Sequence, residues 1–144
     1  MKRILLLSLL IATGLFAKIE IENAYVREVP PTMPNSAIFM KIENKSNKAV
    51  NLIKAESSVA KNVELHTHTM SNGMMKMYQV DKIIINANSE TSLQPGGFHI
   101  MLIGLNKKLK ENDIIDVELT FSNGEKTQIK ASVKKIQSMM MHHH

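Results

Sequence analysis

Residues 64–77 read Glu64-Leu65-His66-Thr67-His68-Thr69-Met70-Ser71-Asn72-Gly73-Met74-Met75-Lys76-Met77. An Asn-Gly pair between two alternating runs is a strong two-residue hairpin signal, because both turn positions call for positive φ and these residues tolerate it. With Asn72 and Gly73 as the turn, Ser71 faces Met74, His68 lies opposite Met77, and His66 lies opposite Gln79. Side chains alternate across a strand, so His66, His68, Met70, Met75 and Met77 share one face. His66 and Met77 are then diagonal neighbours, within reach of each other's side chains.

Outward from this hairpin the same two-residue period recurs in short runs separated by Asn, Gly, Ser and Pro clusters. It predicts strands over 19–28, 37–43, 49–56, 63–70, 74–80, 90–94, 98–103, 113–121 and 126–135. Pro30-Pro31-Thr32-Met33-Pro34 is unsuited to a central strand, while Pro95-Gly96-Gly97 and Asn123-Gly124 read as turns. No long helical stripe, repeat or linker interrupts the pattern. Several short strands at this spacing imply an all-β sandwich or small barrel.

The N-terminus has a different character. Met1-Lys2-Arg3, an apolar run from Ile4 to Phe16 and a small residue at Ala17 form the layout of a cleaved secretory signal peptide. The run is shorter than the roughly 20 residues that span a bilayer, so no membrane span is expected once the signal is removed. The expected division is a signal peptide at 1–17, a β-sandwich domain at 18–137 and a flexible Met- and His-rich tail at 138–144. Export implies a periplasmic location. The formal charge of +5, lowered by two when Lys2 and Arg3 are removed, is mild, and the lysines scatter over turns such as Asn44-Lys45-Ser46-Asn47-Lys48. That pattern argues for a solvated surface and against nucleic acid. The chain has no cysteine. Disulfides, thiolate metal sites and a lipid attached through an N-terminal cysteine are therefore not expected, and any soft-metal chemistry falls to thioethers.

Metal-capable side chains are concentrated in two places. His66, His68 and His99 lie mid-chain with Met70, Met74, Met75, Met77 and Met101, and His142, His143 and His144 end the chain beside Met139, Met140 and Met141. In Phe98-His99-Ile100-Met101, His99 and Met101 point to one side of a strand and Ile100 to the other. The preceding Pro-Gly-Gly turn suggests a position near one end of the sandwich. The hairpin face plus this pair makes a compact donor set. Thioether sulfur is soft and uncharged, so imidazoles with methionines favour copper(I) over zinc, calcium or magnesium, and without a cysteine thiolate a blue-copper centre is excluded. Register alone leaves His66 and His68 both open as ligands. No nucleophile, base and orienting group stand in a recognisable arrangement, so catalysis is not expected.

His66, ten intervening residues, Met77, twenty-one intervening residues, His99, one residue and Met101 follow the spacing His-x10-Met-x21-His-x-Met. In this the chain resembles the PCuAC copper chaperones of the periplasm. Asn23-Ala24-Tyr25-Val26-Arg27, Met40-Lys41-Ile42-Glu43-Asn44 and the run Leu93 to Leu102 also look like that family's strands. The resemblance implies a cupredoxin-like Greek-key β-sandwich, a monomer, and copper(I) held by His66, Met77, His99 and Met101. It also implies delivery of copper to the binuclear copper site of cytochrome c oxidase. His68, Met70 and Met75 become accessory candidates, and His142, His143 and His144 resemble a short form of the family's Met- and His-rich extension, suited to copper(II). Two other readings are a periplasmic copper buffer or resistance protein without a client, and a secreted β-sandwich interaction module that binds no metal.

Overall fold

The computed structural model describes residues 18–135. The segment expected as a signal peptide and the segment carrying His142, His143 and His144 lie outside these residues. Ten strands follow in order: β1 (Ile19–Arg27), β2 (Asn35–Asn44), β3 (Val50–Glu56), β4 (Ala60–Ser71), β5 (Met74–Gln79), β6 (Ile83–Ile85), β7 (Ser89–Leu93), β8 (His99–Leu105), β9 (Ile114–Phe121) and β10 (Lys126–Lys134). The described residues contain no helix. The strands join in the order β5-β4-β8-β2-β1-β10-β9-β3-β6, with β7 also on β2, in one ten-stranded sheet that folds over as a cupredoxin-like sandwich. All pairings are antiparallel except β1 with β10.

The core forms where the inner faces meet. Ile38, Ile42, Leu52, Ile83, Ile85, Ile100, Leu102 and Leu119 are fully buried there. Alternation of buried residues with more exposed neighbours, as in β9, generates the two-residue period in the sequence, and burial of each such side chain contributes roughly 1.5–3 kcal/mol. Against the nine strands expected, the structure adds β6. In Ile83-Ile84-Ile85 the outer two residues are buried and the middle one is half exposed, so three identical side chains conceal an alternation.

The segment after β2 is more than a solvated turn. Asn44 is completely buried, and its side chain donates to the carbonyls of Lys48 and Ile85 while accepting from the amide and hydroxyl of Ser46. A satisfied buried amide of this kind fixes the end of β2 to β6.

The Pro95-Gly96-Gly97 turn does not reverse the chain. β7 and β8 run in the same direction along one edge of β2, paired to Met40–Asn44 and Asn35–Ile38 respectively. The turn is a protrusion between them. Pro95 and Gly96 take the central positions, Gly96 has φ +85°, and the Gly97 amide donates to the Gln94 carbonyl at 2.9 Å. These are the features of a type II turn, in which only glycine is unstrained at the second central position. It leaves the Gly97 carbonyl facing the first residues of β8.

Candidate metal centre

The hairpin register is as the Asn-Gly turn dictates. Asn72 and Gly73 have φ of 52° and 76°, His66 pairs with Gln79, His68 with Met77 and Met70 with Met75. On its other edge β4 pairs with β8, which sets His66 directly opposite His99 and Glu64 opposite Met101. Three adjacent strands therefore present His66, His68, Met77, His99 and Met101 on one face, while Leu65, Ile100 and Leu102 point into the core from the other.

His99 is the centre of this group and is only 3 % exposed. Its Nδ1 lies 3.0 Å from the Gly97 carbonyl, an acceptor, so Nδ1 carries the proton and the Nε2 lone pair points away. That Nε2 stands 3.1 Å from the Met77 sulfur. The separation is close to the roughly 3.5 Å expected for a nitrogen and a sulfur bound to one tetrahedral ion with bonds of about 2.0 and 2.3 Å. The His66 ring lies 5.8 Å from that of His99, and the His68 ring 5.1 Å. Burial pushes the His99 pKa down, the Gly97 hydrogen bond partly opposes this, and His68, His66 and Arg27 add to the lowering. His99 thus favours the neutral form that can act as a ligand.

His66 Nε2 is 2.7 Å from the Glu64 carboxylate, leaving Nδ1 buried without a hydrogen-bond partner. Glu64 can only accept, so the proton resides on Nε2 and the orphaned Nδ1 holds the lone pair. A carboxylate behind an imidazole is a recurrent means of orienting a metal ligand. Among sequence features, the signal for Glu64 was its position two residues before His66, which places it on the same face. The wall behind His99 is Phe39, whose ring is 6.2 Å away and is covered by Arg27 at 5.4 Å. No sequence pattern marks Phe39, because both faces of β2 are buried around it.

A cavity of about 290 Å³ opens over the group, lined by His68, Met77, His99 and Met101 together with Phe39 and Arg27. His66 is not part of its lining; it flanks His99 on the Glu64 side. Met70 and Met75 lie farther out, opposite each other near the hairpin tip and 64 % and 59 % exposed. Elsewhere, Glu20, Glu22 and Glu43 bring three carboxylates together, but Lys45 holds Glu20 at 2.8 Å and Lys41 lies 3.5 Å from Glu22. That cluster is a surface patch in which two of the three carboxylates already face a lysine.

The donors brought together are two or three imidazoles and two thioethers, behind which sits one carboxylate. They fit a soft univalent cation better than zinc or a hard divalent one. Residues 19–133 match the family model described as "Putative lipoprotein LpqE-like". The chain belongs to this family, that of the PCuAC domains. One relative is the putative lipoprotein Lxx21020 of Leifsonia xyli subsp. xyli, 32% identical over 117 residues that cover 81% of this chain and 69% of the relative. Among solved structures, the copper-bound PCuAC domain from PmoF2 superposes with a TM-score of 0.71 at 22% identity, covering 83% of this chain and 94% of that domain, which establishes the shared fold. The solution structure of copper(I)-bound DR1885 from Deinococcus radiodurans gives a TM-score of 0.66 at 33% identity, covering 79% of this chain and 76% of that one. No helix among the described residues of this LpqE-like chain is long and apolar enough to cross a membrane.

Proposed function

We propose that this protein is a periplasmic copper metallochaperone that carries copper(I) between His66, Met77, His99 and Met101 and passes it toward the binuclear copper site of cytochrome c oxidase. The single observation that carries the reading is the approach of His99 Nε2 to the Met77 sulfur at 3.1 Å, beneath an open cavity also lined by Met101. A lone pair facing a soft sulfur, with no proton between them to make a strong hydrogen bond, is the arrangement of two ligands sharing an ion. Membership of the PCuAC family and the copper-bound state of its relatives support the same cargo, and the naming of relatives as lipoproteins fits an exported protein.

Each residue has a distinct part. His99, held by Gly97, and His66, held by Glu64, keep their lone pairs fixed; Met77 and Met101 supply polarizable sulfur. None of the four is anionic, so copper(II) gains little from the site, and neutral ligands on an accessible face can be exchanged one at a time for a recipient's. Copper(I) titration against a competing chelator tests the assignment. Tight one-to-one binding in the wild type, abolished when Met77, His99 and Met101 are all replaced by Ala, is expected, whereas unchanged affinity in that variant refutes it. Delivery is tested separately, by loss of cytochrome oxidase activity at limiting copper when the protein is deleted; normal oxidase with copper sensitivity identifies a buffer instead.

A further inference from the structure

The hairpin extends the donor set beyond the four-residue centre. Three directly paired rows occupy one face: His66 with His99, then His68 with Met77, then Met70 with Met75. Paired Cβ atoms stand about 4.5–5.5 Å apart, and successive rows are separated by two residues, roughly 6.7 Å. Every residue in the three rows has a nitrogen or sulfur lone pair. Exposure rises along the series, from 3 % at His99 to 44 % at Met77, 59 % at Met75 and 64 % at Met70.

The outer row is not explained by packing. Every residue of β5 is exposed, and β5 forms an unpaired edge of the sheet. Edge strands are ordinarily protected by lysines, charges or proline; β5 has one such residue, Lys76, while half of Met74–Gln79 is methionine. Nor is His68 committed to a structural partner. Its Nδ1 is 3.4 Å from the Gly97 carbonyl, at the limit of a hydrogen bond, while His99 holds the same carbonyl at 3.0 Å. His68 nonetheless sits nearer to the His99 ring than His66 does and pairs directly with Met77.

We propose that Met70 and Met75 form a second, transient site for copper(I), joined to the main centre by His68 and Met77, through which the ion enters and leaves. The inference rests on the copper(I) reading of the main centre. Copper(I) moves outward by ligand exchange without change of oxidation state: His68 binds as His66, His99 and Met101 leave while Met77 stays bound, Met75 then binds as His68 leaves, and Met70 binds as Met77 leaves. Two thioethers alone hold the ion weakly in water, which suits a point of release, while the buried imidazoles hold it at rest.

The test compares the full-length wild type with the double variant Met70→Leu, Met75→Leu. Leucine preserves apolar bulk at exposed positions, and coincident thermal melts establish that folding is unchanged. Each protein is loaded with one equivalent of copper(I), and transfer to bathocuproine disulfonate is followed by stopped-flow absorbance. The expected result is an equilibrium affinity within about twofold of wild type, because the four resting ligands are untouched, and a transfer rate lowered about tenfold, the change that about 1.4 kcal/mol in the activation barrier produces. Equal rates at equal, tight affinity overturn the inference alone. A wild-type chain that retains no copper(I) against the chelator overturns the proposed function and this inference with it.

Discussion

The two faces of β8 are made of alternate residues of one seven-residue strand, yet they have opposite character. Ile100 and Leu102 are fully buried and pack into the sandwich, while His99 and Met101 point into an open cavity with Met77. The inner face gains its energy from area removed from water, which is insensitive to which apolar atom is used. The outer face depends on the identity and direction of single atoms, such as His99 Nε2 and the Met77 sulfur. Rigidity on one side is what allows neutral, exchangeable donors to be held in place on the other. Substitutions on the two faces should therefore separate stability from copper binding.

The largest effect is expected on the inner face. Ile100→Ala leaves a void in a fully buried position and should lower stability by about 2–5 kcal/mol in chemical denaturation. Copper affinity measured under conditions where the variant remains folded should change little, because no donor is lost. On the outer face Met101→Leu keeps the volume and removes the sulfur. Its stability cost should stay below about 1.5 kcal/mol, while copper(I) affinity should fall by more than the roughly 10–100-fold that losing an outer partner costs. A variant that instead lost stability and kept its affinity would merge the two faces and remove Met101 from the donor set. Glu64→Ala should be milder, lowering copper(I) affinity about tenfold by releasing the His66 ring, as read by chelator competition.

The smallest effect is a pH dependence of the copper-free protein. The folded state holds the His99 pKa below the ordinary value of 6.5. As pH falls below about 6.5 the unfolded chain takes up a proton that folded His99 resists, so the unfolded state binds more protons and stability declines. The decline should run from about pH 6.5 down to the lowered folded pKa and then level off. In His99→Gln this contribution should be absent from melting curves recorded across that range.

Much of this was legible in the sequence because β-structure converts adjacency into direction. Asn72-Gly73 sets the register of β4 with β5 from local chemistry alone, so the pairing of His68 with Met77 followed directly. The alternation His99-Ile100-Met101 divided β8 into its two faces. What the sequence could not supply is the neighbour across a long loop. The pairing of His66 with His99 and the burial of Asn44 depend on which strands meet in the folded sheet, which no local pattern encodes. The Pro95-Gly96-Gly97 turn was visible, but not that it protrudes from a continuous edge and turns its Gly97 carbonyl onto two histidines. Ile83–Ile85 escaped because three isoleucines have no polar residue to mark the period. The membership of the donor set in a metal centre is a chemical reading laid on this geometry.

That reading is tested most directly by X-ray absorption at the copper edge of the protein loaded with one equivalent of copper(I). The account predicts a mixed first shell containing sulfur at about 2.3 Å and imidazole nitrogen at about 2.0 Å, with the sulfur contribution reduced in Met101→Leu. A shell of nitrogen and oxygen alone, or a sulfur contribution that Met101→Leu leaves unchanged, would contradict it.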